Sequence, residues 1–229
     1  MIPIPGRGML FSLAEFGRTP RFSGLALALI LLMSCGQPPR QAAIPPGQTV
    51  LAFGDSVTHG TGARPGEDWP SLLAPATGWR IINAGIPGDT TLGGKARLPK
   101  LLAQYRPALV IIEMGGNDFL RRRPQREVKE DLRSLIRTAR QAGAQVALIA
   151  VPELSLLAIV AGKPDDAPIY AELGEEEGVP VMTDVLSDIL GQPELCADTI
   201  HPNAAGYRKM AVGLFDSMKA IGLIHAAGS

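Results

Sequence analysis

Ala108-Leu109-Val110-Ile111-Ile112-Glu113-Met114-Gly115-Gly116-Asn117-Asp118 joins a nearly continuous apolar, β-branched run to a turn of small and polar residues. A strand with one face in water alternates apolar and polar residues; this run does not. It predicts a strand over 108–113 that is buried on both faces, as in the middle of a parallel sheet. Four further runs have similar character: 49–53, closed by Gly54, then 80–84, 145–151 and 179–182. Helical spacing fills the gaps between them. Residues 93–105 place Ala96, Leu98, Leu101 and Leu102 near one face. Residues 125–142 place Val128, Leu132, Leu135, Ile136 and Ala139 at three- and four-residue intervals, with Gly143 as a stop. Residues 204–221 carry a similar stripe, and Asn203 is placed to cap it. Strand–helix alternation predicts an α/β domain: a three-layer α/β/α sandwich on a five-stranded parallel sheet. In such folds sites gather at the carboxyl ends of the strands.

Outside the alternating region the text changes. Arg18 and Arg21 precede a short charge-free apolar run, 25–33, which reads as an export signal. Leu32-Met33-Ser34-Cys35 resembles a bacterial lipoprotein cleavage box, in which the cysteine receives lipid. Residues 1–34 are therefore expected to be a lipoprotein signal peptide, and the protein an exported, periplasm-facing lipoprotein held to a membrane through Cys35. Residues 35–48 are rich in Pro, Gly and Gln and read as a tether, 49–224 as the folded domain, and 225–229 as a tail. Cleavage before Cys35 leaves 19 basic and 21 acidic side chains, net −2. That balance gives no electrostatic case for nucleic acid as a partner. Arg121-Arg122-Arg123 and Glu175-Glu176-Glu177 read as solvated patches. Cys196 has no second cysteine to pair with once Cys35 is lipidated, and reads as a small apolar filler.

Four segments fall where a site is expected: Gly54-Asp55-Ser56 after the first strand, the 83–90 loop after the second, Gly115-Gly116-Asn117-Asp118 after the third, and Asp198-Thr199-Ile200-His201-Pro202-Asn203 before the last helix. Acyl transfer needs the parts these segments carry. A serine hydroxyl is a weak nucleophile until a base takes its proton, and a carboxylate fixes the tautomer of a histidine base. Ser56 is the candidate nucleophile, His201 the candidate base and Asp198 its orienter. Ser56 N–H, Gly88 N–H and the Asn117 side-chain amide are the candidate oxyanion donors. Of the other histidines, His59 is expected at the site rim and His225 in the tail.

These blocks resemble the SGNH (GDSL) hydrolases, and among them the bacterial thioesterase, lysophospholipase and arylesterase group. The resemblance spans roughly 50–223 and rests on Phe53-Gly54-Asp55-Ser56, Gly88-Asp89-Thr90, Gly115-Gly116-Asn117-Asp118 and the Asp198 to Pro202 block. Trp69-Pro70-Ser71-Leu72-Leu73 and Ala96-Arg97-Leu98-Pro99 are similar too. It implies a flavodoxin-like sheet, no metal, no cofactor, and hydrolysis of acyl esters, thioesters or lysophospholipids. The apolar stretch 154–161 departs from the polar, tyrosine-bearing loop of that group and leaves acyl-chain length open. Two other functions fit an anchored chain: an O-acetylesterase of envelope polysaccharide, and a non-catalytic binding lipoprotein. Aromatic residues are only 5% of the sequence, which counts against a sugar site.

Overall fold

The computed structural model describes residues 41–153 and 164–224. The signal segment, Cys35, the apolar stretch 154–161 and His225 lie outside the described residues. Along the chain run β1 (Thr49–Gly54), α1 (Ser56–His59), α2 (Trp69–Thr77), β2 (Arg80–Gly85), α3 (Thr91–Tyr105), β3 (Leu109–Glu113), α4 (Gly116–Leu120) and α5 (Gln125–Gln141). Then come β4 (Gln145–Ile149), α6 (Ile169–Glu177), β5 (Val181–Met182), α7 (Ser187–Leu190), a 3₁₀ turn at Pro193–Leu195, and α8 (Ala204–Ala220). The five strands are parallel, in the order β2-β1-β3-β4-β5. The order reverses between β1 and β3, and loops leaving those two strands diverge and open a crevice there.

Burial explains the order. Every residue of β1 and β3 is buried, as continuous apolar runs require of central strands. β2 is an edge strand and keeps Arg80 and Asn83 exposed. α3 packs on α5 and α5 on α6, while α8 packs on α2, giving the helical layers of an α/β/α sandwich. α5 buries Val128, Leu132, Leu135, Ile136 and Ala139 as its spacing predicts. Its outer face is an ionic seam, in which Lys129 and Arg133 meet Glu172, Glu176 and Glu177 of α6, and Arg137 joins at Glu177. Such solvent-exposed pairs are screened by water and stabilise little, whereas each large apolar side chain buried contributes roughly 1.5–3 kcal/mol, so it is the stripe that holds the helix. Part of the glutamate run read as a solvated patch is thus a partner surface.

Five helices escaped the sequence reading: the short α1, α4 and α7, and the longer α2 and α6. α2 contains Pro70 at its start and Pro75 within, and is fixed by Asp68, whose carboxylate accepts from Ser71 N–H at 2.9 Å and Ser71 Oγ at 2.9 Å. α6 is short and half acidic, and it ends at Gly178. The segment read as tether is docked from residue 41 on. Ile44 is buried, its N–H donates to Leu223 O (2.9 Å), and its carbonyl accepts from Trp79 Nε1 (2.9 Å). Composition registered the prolines and missed the one apolar side chain that finds a slot.

Candidate active site

The crevice at the strand reversal holds the candidate nucleophile. β1 ends at Gly54, and the chain turns at once into α1, so that Ser56 is its first residue. A Cβ at Gly54 would lie 2.0 Å from Thr58 Oγ1 and 2.5 Å from the Glu113 carbonyl, so only glycine allows this turn. Asp55 caps α1 by accepting from Val57 N–H at 3.1 Å. From the far end of the chain, Cys196 pairs with Pro202 in an isolated bridge that presents the intervening loop. Within that loop the Asp198 Oδ1 accepts from both Ile200 N–H and His201 N–H, each at 2.9 Å. Gly62, at φ +98°, lets the segment after α1 press against Pro202 O, where a side chain would come within 2.4 Å.

These contacts bring the three distant residues into a line. His201 Nε2 is 2.9 Å from Ser56 Oγ, and His201 Nδ1 is 2.8 Å from Asp198 Oδ2. Partial burial acts to raise the Asp198 carboxyl, but hydrogen bonds from His201 and Ile200 outweigh it and hold the group below the usual carboxylate range. Asn117, on α4, donates its Nδ2 to Asp55 Oδ2 at 3.0 Å and lines the same cleft as Ser56 and His201. Val151, Leu186, Leu190 and Ile200 give the cleft apolar walls. Gly88 has φ +78°; neither its N–H nor that of Ser56 donates to an acceptor among the described residues. The structure thus joins Ser56, His201, Asp198 and Asn117, and leaves Gly88 N–H free on the neighbouring loop. His59 is exposed at the end of α1. Cys196 is half-buried, its thiol is turned to Ile189 O and Gln192 O, and burial pushes it above the ordinary thiol range. Among the described residues no three His, Cys, Asp or Glu side chains group as metal ligands.

Three supports went unread in the sequence. Arg97 stacks over the Phe53 ring at 3.9 Å and donates to Asp89 (2.7 Å), Ala84 O (2.8 Å) and Gly54 O (2.8 Å), tying the Gly88 loop to the ends of β1 and β2. The arginine run taken as a solvated patch does local work. Arg121 donates to Gly88 O at 2.9 Å, and Arg123 pairs with the buried Asp118 and with Asp131. Asp118 in turn accepts from Thr91 N–H and Thr91 Oγ, joining α4 to the start of α3. Glu113 is the third. It lies beneath Ser56 at 1% exposure and accepts from Thr58 N–H (3.1 Å) and Thr58 Oγ (2.8 Å). The signal was visible: one acidic residue closing an otherwise apolar run.

Burial, and then the nearby charge of Asp55, push the Glu113 carboxyl well above its usual range. Burial likewise raises Asp55 to about 6, against the hydrogen bonds from Val57 and Asn117. A folded-state pKa raised above the unfolded one costs stability as pH climbs, because the unfolded chain releases the proton first. Glu113→Gln removes that cost while keeping an acceptor oxygen. Its melting temperature should exceed that of the unsubstituted protein by a margin that grows from pH 5 to pH 8, reaching on the order of a few degrees. Thermal melts at the two pH values check this; a margin that shrinks toward pH 8 contradicts it.

The sequence matches the model of the GDSL-like lipase/acylhydrolase family over residues 52–209. It is 34% identical over 204 residues to esterase TesA of Pseudomonas aeruginosa, covering 85% of this chain and 95% of that one. It is 33% identical over 162 residues to thioesterase 1/protease 1/lysophospholipase L1 of Escherichia coli, covering 68% and 76%. The crystal structure of TesA superposes with a TM-score of 0.68 at 32% identity, over 76% of this chain and 99% of that one.

Proposed function

Since the chain belongs to the GDSL-like lipase/acylhydrolase family and is a carboxylic ester hydrolase, we propose that it cleaves acyl esters and thioesters through an acyl-enzyme on Ser56. The observation that carries this reading is the unbroken line from Ser56 Oγ through the His201 ring to Asp198, with 2.9 Å and 2.8 Å links. With its proton on Nδ1, directed at Asp198, the imidazole offers Nε2 to the serine hydroxyl. Nε2 takes the hydroxyl proton as Oγ bonds to the acyl carbon. Ser56 N–H, Gly88 N–H and Asn117 Nδ2 receive the oxygen that gains charge. The same proton then goes to the departing alcohol or thiol. Water repeats the sequence on the acyl-enzyme and frees the acid and Ser56.

The apolar cleft walls favour an acyl chain, as in aryl esters or lysophospholipids, over an acetylated sugar. The test is a chain-length series of p-nitrophenyl esters together with mass mapping of a fluorophosphonate label. Butanoyl to octanoyl esters should turn over faster than acetyl, and the label should sit on Ser56. Preference for acetyl would favour the polysaccharide deacetylase reading, and no label on Ser56 would leave a binding lipoprotein. We also propose that the mature chain is a periplasm-facing lipoprotein, supported by the Leu32 to Cys35 sequence. The mature N-terminus should then be a diacylglyceryl Cys35 by mass spectrometry, and an unmodified or upstream N-terminus sinks the assignment.

A further inference from the structure

Glu113 is an expensive residue for its place. It closes β3, where the preceding positions are apolar and buried, and its backbone pairs in register with Gly54. A buried carboxyl stabilises a fold less than an apolar side chain of similar size unless its hydrogen bonds matter elsewhere. Its bonds all go to one place. Oε2 accepts from Thr58 N–H at 3.1 Å and from Thr58 Oγ at 2.8 Å. Thr58 reaches it only because Gly54 has no side chain, since a Cβ there would stand 2.0 Å from Thr58 Oγ1.

The effect on the nucleophile turn is a matter of counting donors. The first N–H groups of a helix point together out of its start and bind whatever acceptor lies ahead. In α1, Val57 N–H is taken by Asp55 and Thr58 N–H by Glu113, and His59 N–H closes on Asp55 O at 3.0 Å. Ser56 N–H is the group left over.

We propose that Glu113 is a positioning residue for Ser56: by holding both donors of Thr58 from below, it fixes the first turn of α1 and leaves Ser56 N–H as the single donor of that turn facing the acyl oxygen. This rests on the reading of Ser56 as nucleophile. The burial of Glu113 and the adjacent Asp55 both disfavour its charged form. A glutamine offers the same carbonyl oxygen at the same reach; a leucine fills the volume and offers none.

The experiment compares the purified full chain with Glu113→Leu, Glu113→Gln and Thr58→Val. It measures kcat and KM on p-nitrophenyl butanoate, the fluorophosphonate labelling rate, and thermal melting. A turn that drifts displaces both the attacking oxygen and its oxyanion donor. Glu113→Leu should therefore lose about 100-fold in kcat and in labelling rate, with KM changed by less than about 2-fold. Glu113→Gln should return kcat to within about 3-fold of the unsubstituted protein, the mark of a role in geometry rather than charge. Thr58→Val keeps one of the two bonds and should lose about 10-fold in kcat at unchanged KM. A folded Glu113→Leu with undiminished kcat overturns the proposal, and so does a Glu113→Gln as slow as Glu113→Leu. If Glu113→Leu does not fold, Thr58→Val decides, and an unchanged kcat there overturns it. Absence of turnover and label in the unsubstituted protein would instead defeat the nucleophile assignment, so the two failures are distinct.

Discussion

Ser56→Ala should lose at least about four orders of magnitude in ester turnover and all covalent labelling, while melting within a few degrees of the unsubstituted protein. The argument is local. The Ser56 hydroxyl makes one hydrogen bond to a side chain, with His201 Nε2. Removing it strands only a ring nitrogen at the mouth of an open cleft, where water replaces the lost partner. The backbone of the turn is held by Asp55, Glu113 and Gly54, none of which touches Oγ. Fold and chemistry therefore separate cleanly in this variant. His201→Ala should fall about as far, because a hydroxyl without a base is as inert as a missing one. The double variant should be no slower than either single one, since groups acting as a unit do not add. Substantial turnover by a folded Ser56→Ala would remove the acyl-enzyme from the mechanism altogether.

The sheet and the meeting of Ser56, His201 and Asp198 were legible for the same reason: both follow from short, contiguous segments. Buried central strands need unbroken apolar runs, and the 108–113 run supplied one within a residue of β3. The Asp198–His201 pair was readable because two intervening residues suffice to bring both side chains to one turn, and the 2.8 Å contact is that turn. The supports were not legible, because their partners are remote in sequence. Nothing local in Ala96-Arg97-Leu98 says that the guanidinium will cover Phe53 and bind Gly54 O, 43 residues away. Arg121 to Arg123 read as a charge run, yet two of them are spent on Gly88 and Asp118. Ile44 shows the opposite error, where a correct composition rule for a flexible tether was overridden by a single buried side chain.

Asp198→Asn is the second substitution with a large expected effect, and its size follows from which way an amide can sit. Asp198 Oδ1 accepts from two backbone N–H groups, and Oδ2 faces His201 Nδ1. An asparagine keeps the backbone pair only by pointing its oxygen there, which turns its NH₂ toward Nδ1. Nδ1 must then be the acceptor, so the ring proton moves to Nε2, and the nitrogen facing Ser56 Oγ can no longer take a proton. The opposite flip restores the ring tautomer but aims NH₂ at two backbone donors. The Asp198 side chain is 53% exposed, so its purely electrostatic support of the imidazolium is screened by water, and the tautomer dominates the loss. Turnover at pH 7.5 should drop about 1,000-fold, somewhat less than for a fully buried orienting carboxylate. Asp198→Ala, which lets water serve Nδ1 in either tautomer, should retain more activity than Asp198→Asn provided the loop stays ordered. Measuring kcat/KM for both variants decides the point: if the asparagine variant is the faster of the two, fixing the ring tautomer is not the main role of Asp198.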